Sequence, residues 1–99
     1  MSDITLTRTT IRPSTDVAWF QTPSAVLDYI NATYRFGSGD LRKSEFMLSE
    51  DRLSLTMAST WSSVETHAAF MADPIVAANM TAMDAYNTQN NITVILGTI

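Results

Sequence analysis

The chain has 99 residues, 45% hydrophobic and 16% charged, with no cysteine and a formal net charge of −4. That length gives one domain spanning residues 1–99, able to bury roughly 65% of the surface its unfolded chain exposes. Six Lys plus Arg are too few to cluster against phosphates, which excludes a nucleic-acid surface, and the lack of cysteine excludes disulfides, thiolate nucleophiles and Cys-based metal sites.

No apolar run reaches the ~18 residues of a membrane span, and the N-terminus lacks the basic and hydrophobic regions of a signal peptide, so a soluble, cytoplasmic protein is expected. The low charged fraction leaves much neutral Thr, Ser, Ala and Met surface. A subunit covered by a partner would show this, and so would threonine-rich strands.

From Asp3 to Arg12 the sequence alternates, Ile4 and Leu6 facing one way and Thr5, Thr7 and Thr9 the other, as in a half-buried strand that Pro13 ends. Ser14 to Gln21 is a loop carrying Trp19 and Phe20, which either pack under the fold or line a pocket. Thr22-Pro23 reads as a cap followed by proline. It opens a helix to about Phe36 whose stripe of Val26, Leu27, Ile30 and Tyr34 covers a sheet. Gly37-Ser38-Gly39-Asp40 stops that helix.

Leu41 to Leu48 and Arg52 to Trp61 are extended runs joined by Ser49-Glu50-Asp51, close enough for a hairpin. In the second, Leu53, Leu55, Met57, Ser59 and Trp61 share a face. In the first, Phe46 and Leu48 oppose Leu41 and Met47. Ser62-x-x-Glu65 has the form of a capping box, placing a helix start at Ser62 or Ser63, and Asp73-Pro74 reads as a second cap from which the helix restarts and runs to about Asn87. Ile92 to Ile99 is a last strand with aliphatic groups on both faces, as for a central strand or one whose outer face meets a partner.

The order strand, helix, strand, strand, helix, strand predicts an α+β fold of the ferredoxin-like βαββαβ kind: a four-stranded antiparallel sheet with helices on one face. The other face then needs cover, and a twin sheet in a homodimer is the simplest supplier.

Trp61-Ser62-Ser63 through Glu65, Phe70 and Asp73-Pro74, between a hydrophobic strand and a longer helix and final strand, resembles the dimeric α+β barrel superfamily. Within it the pattern is most similar to antibiotic-biosynthesis-monooxygenase-like proteins. The residue match covers about fourteen positions. The resemblance implies two sheets packed back to back in a dimeric α+β barrel, with ligand pockets between sheet and helices. It also implies oxygenation of a small aromatic or polyketide-like compound that requires no protein-bound cofactor and no metal. The haem-degrading branch would ask for a strand-one asparagine and a histidine ten residues after the tryptophan. Here strand one offers Thr5, Thr7 and Thr9, and the position ten after Trp61 is Met71, so the sequence departs from that branch.

His67, the sole histidine, falls on the inward arc of its helix with Val64, Ala68, Phe70 and Met71. It is either a hydrogen-bonded histidine at the helix–sheet boundary, a general base or ligand contact, or a metal ligand. Asn79 falls amid Ile75, Val76, Ala82, Met83 and Tyr86, where a buried amide needs a partner: a loop backbone, or a ligand in a mainly apolar cavity. The candidate catalytic residues are thus His67 and Asn79, and the candidate ligand-binding residues Trp61, Phe70, Met83, Tyr86 and Trp19. A non-catalytic dimeric module for ligand binding or assembly is the alternative. Asp73 and Asp84 read as a cap and a solvated helix residue.

Overall fold

In the computed structural model, which describes residues 3–98, the alternating N-terminal segment forms β1 (Ile4–Ile11) at the middle of the sheet. With β2 (Leu41–Leu48), β3 (Ser54–Trp61) and β4 (Thr93–Thr98) it makes an antiparallel sheet in the order β2-β3-β1-β4. Three helices, α1 (Ser24–Ile30), α2 (Val64–Ala72) and α3 (Pro74–Gln89), complete an α+β arrangement compatible with a ferredoxin-like fold. Ile99, the last residue of the predicted final strand, lies outside the described residues.

Register decides which side chains face the helices. Trp61 is paired with Ile4 and Ser59 with Leu6, while Arg8 is paired with Met57. Trp61 meets Phe70 of α2, and Arg8 reaches Asp84 of α3 at 3.2 Å, so these rows form the helix-covered face. The opposite face carries Thr5, Thr7 and Thr9 beside Thr60, Ala58 and Thr56. Across the central strand pair the hydroxyls bond to each other, Thr5 to Thr60 at 2.9 Å and Thr9 to Thr56 at 3.0 Å.

Four local expectations are corrected. In β2 the register shifts between Leu41 and Lys43, so a bulge at Arg42 puts Leu41 opposite Trp61 on the same face as Phe46 and Leu48 rather than against them. The last strand is an edge strand and not a central one, with Ile95 and Leu96 exposed on its two faces.

The first helix starts later than Thr22-Pro23 suggests: Pro23 itself occupies the cap position and no side chain caps the helix. Beyond Ile30 the winding widens into a π-helical segment, Asn31–Gly37, closed by the Ser38 N–H donating to the Thr33 carbonyl five residues back at 3.0 Å. A Cβ at Gly37 would lie 2.6 Å from the Ala32 carbonyl oxygen, so only glycine fits this wider turn.

The capping box of α2 is Ser63 with Thr66, not Ser62 with Glu65. Ser63 Oγ accepts from the Thr66 amide at 3.1 Å, and Thr66 Oγ1 accepts from the Ser63 amide at 3.1 Å. Ser62 is occupied elsewhere: its hydroxyl donates to Asp40 Oδ1 at 2.8 Å and its amide to the Asp40 carbonyl at 2.9 Å. Ser63→Ala should therefore lower stability by about 1 kcal/mol and the melting temperature by about 4–8 °C, whereas Glu65→Ala should stay within about 0.5 kcal/mol. Calorimetric melts of the two variants check this. The reverse ranking would restore the box read from the sequence.

Candidate functional site

Strand β3 ends on Trp61, and α2 begins close behind it, so His67 and Phe70, three residues apart on one helical face, come down on the indole. The ring centroids of Trp61 lie 4.6 Å from Phe70, 5.4 Å from His67 and 6.1 Å from Tyr34. Tyr34, from the π-helical segment, is also edge-on to Phe70 at 5.0 Å. The Trp61 Nε1–H donates to Ser59 Oγ at 3.1 Å, so the polar edge of this 2% exposed side chain is satisfied inside its own strand.

His67 is half-buried at the margin of this cluster. Desolvation holds its pKa below the ordinary histidine value, so the imidazole is neutral at pH 7. Among the described residues no side-chain hydrogen bond engages the ring. A neutral imidazole against an aromatic wall can take a proton from an acidic C–H or O–H brought beside it.

Next to the cluster is an open concavity lined in part by Tyr29, Tyr34, Ala69, Ala72, Asp73 and Ile75. Both phenols donate to one oxygen of Asp73, Tyr29 at 2.6 Å and Tyr34 at 2.5 Å, while the other oxygen caps α3 by accepting from the Ile75 amide at 2.9 Å. Asp73 is thus the cap that the sequence predicts, with a second set of partners. Those hydrogen bonds hold the Asp73 carboxyl below its ordinary pKa. The Tyr29 phenol is pushed up chiefly by its bond to Asp73. The Tyr34 phenol is pushed up first by desolvation and then by the same bond. In an α-helix residues five apart point about 140° from one another, and the wider π winding brings them toward one face, which lets both hydroxyls reach the same carboxylate.

The seven predicted site residues do not form one group. Trp61, Phe70 and His67 come together. Trp19 and Tyr86 lie by the loop that follows Ile11, at the end of β1 opposite to Ile4 and Trp61. There the Arg12 guanidinium stacks 4.6 Å above the Trp19 ring, Tyr86 is 5.7 Å from Phe20, and the Tyr86 hydroxyl donates to the Ala18 carbonyl. The heavy apolar side chains of the loop are therefore packed. Met83 and Asn79 sit half-buried on α3, and no side-chain hydrogen bond engages Asn79 among the described residues. The buried amide of α3 is instead Asn87, 4% exposed, whose Nδ2 has no hydrogen-bond partner; Arg8 Nε is in the same condition.

Of the residues missed, Asn87 had a signal, because it continues the Val76, Met80, Met83 stripe at helical spacing. Arg8 had one too, as the next inward position after Ile4 and Leu6. Asp84, read as a solvated residue, is largely exposed yet pairs with Arg8. The joint reach of Tyr29 and Tyr34 to Asp73 had none, since it depends on the π-helical winding. Among the described residues no cluster of three metal-ligating side chains occurs, and no helix is long and apolar enough to cross a membrane.

Comparison with protein families, with curated proteins and with solved structures finds no match.

Proposed function

We propose that the chain is one half of a homodimeric α+β barrel that binds a small apolar or aromatic molecule beside Trp61, Phe70 and His67, and that His67 serves as base in a cofactor-independent monooxygenation. One observation carries the catalytic part: the only histidine is neutral, partly reachable and edge-on to Trp61 at 5.4 Å, with no side-chain partner among the described residues to occupy it. In such chemistry a proton leaves an electron-rich phenolic compound, the resulting carbanion meets dioxygen, and loss of water from the peroxide leaves a carbonyl. One oxygen atom stays in the product and the other leaves as water, so no external reductant enters. Asn79 is the proposed orienting residue for substrate or oxygen; Trp19 and Tyr86, packed at the far end of β1, take no part in this reading.

The dimer is supported by the unequal faces of the sheet. Helices cover one, and the other is a threonine field whose paired hydroxyls each share one hydrogen bond, which offsets part of the cost of dehydrating them. The second reading, a non-catalytic dimeric module, is favoured by the 2% exposure of Trp61, which seals the cluster rather than opening it.

Thermal-shift screening of small phenols and polyketide-like aromatics, with and without haem, identifies ligands because binding stabilises the native state by mass action. Oxygen uptake is then measured on the hits. His67→Ala is expected to lower uptake about a hundredfold while ligand affinity and dimer mass are kept. Unchanged uptake in a folded dimer would remove the catalytic reading and leave the binding module.

A further inference from the structure

The concavity at the α2–α3 junction has chemistry of one sign. Both phenol protons are committed to Asp73, so what Tyr29 and Tyr34 offer outward is oxygen lone pairs. Asp73 is a carboxylate whose cap position also faces the amides of Ile75 and Val76, so what it offers the concavity is its negative charge. Helix α2 ends at Ala72, where its last carbonyls lack intrahelical partners, and its negative end offsets the positive end of α3 that starts at Pro74. The carboxylate charge therefore stands, with acceptors around it and Ala69, Ala72 and Ile75 supplying apolar surface.

We propose that this concavity is a binding site for a small organic ammonium: a cationic head at Asp73 and the two phenol oxygens, and an apolar body on Ala69, Ala72 and Ile75. An ammonium brings only donors, which is what an acceptor-only site lacks. A carboxylate or phosphate would bring more acceptors and a like charge, and the chain's net charge of −4 repels it further. The site is separate from the His67 reading and stands whether or not the protein is catalytic.

The test is an amide NMR titration of the full chain with 2-phenylethylammonium and its neutral counterpart 2-phenylethanol, at neutral pH and low salt. The ammonium should perturb the amides of Asp73 and Ile75 and bind at least about tenfold tighter than the alcohol. Asp73→Asn keeps a good cap residue but removes the charge, and should erase that preference. Should this variant misfold, Tyr29→Phe, which leaves the cap intact, should weaken ammonium binding several-fold. Equal affinity for the alcohol, undiminished preference in both variants, or no perturbation at Asp73 and Ile75 at millimolar ammonium would overturn the proposal.

Discussion

Replacing Trp61 by alanine is expected to cost about 3–5 kcal/mol, a large share of the ~5–15 kcal/mol that holds a small domain folded. The indole is 2% exposed and makes ring contacts to Tyr34, His67 and Phe70, while its strand neighbours Ile4 and Leu41 flank it on either side. These belong to four separate elements, so none can collapse far enough to fill the space left behind. Trp61→Phe keeps a ring at the site but strands the Ser59 hydroxyl, and should cost clearly less than alanine. Urea unfolding measures both. A loss under about 1 kcal/mol for Trp61→Ala would mean that this cluster is not what closes the sheet end.

The second large effect is on assembly. Thr7 sits at the centre of the uncovered sheet face, between Ala58 of β3 and Gly97 of β4, and a Cβ at Gly97 would approach Thr7 Oγ1 to 2.9 Å. Two of the smallest residues thus make room beside it, which suits close approach of a second sheet. In a two-fold dimer Thr7→Arg buries a guanidinium on each subunit, at several kcal/mol per uncompensated charge, and the symmetry applies it twice. The dimer dissociation constant should rise by at least about a thousandfold. The same substitution in a lone subunit lies on an open strand surface and should change unfolding by no more than about 0.5 kcal/mol. Glu65→Arg on exposed α2 is the matched control and should leave the dimer intact.

Both predictions depend on features that were unequally legible in the sequence. Strand faces in β1 and β3 were readable because a period of two survives any tertiary context that keeps one side buried. The β2 face was not, since one extra residue at the Arg42 bulge reverses the parity of Leu41 and leaves no mark in the alternation. Asp73-Pro74 was readable as a cap because proline and aspartate each favour that position for their own steric and hydrogen-bonding reasons. At Ser62-Ser63 two adjacent serines competed, and the distant Asp40 took one of them, which no local rule anticipates. The site was half legible. Trp61, His67 and Phe70 meet because they follow one another across a strand end and one helical turn. Trp19 was assigned to the same site because an aromatic in a loop looks alike whether it lines a cavity or packs it shut, as under Arg12 here, and Tyr86 because a helix wheel gives its direction but not the loop it meets, here at Phe20.

The uncovered face also bears on the edge strands. Ile95 and Met47 project from the same side as the threonine field and are 53% and 54% exposed, framing it with apolar groups. Each hydroxyl pair shares one hydrogen bond and leaves one O–H free to donate to a partner, and the β2 margin of the same face also carries Lys43 and Glu45, paired at 3.0 Å, so a covering sheet would meet a polar centre and one ion pair at the rim.

Sedimentation equilibrium of the unmodified chain at micromolar concentration measures this most directly. A mass twice that of the 10.9 kDa chain, persisting on dilution, is the predicted result. A well-behaved species of 10.9 kDa would contradict the dimer and, with it, the barrel on which the functional proposal is built.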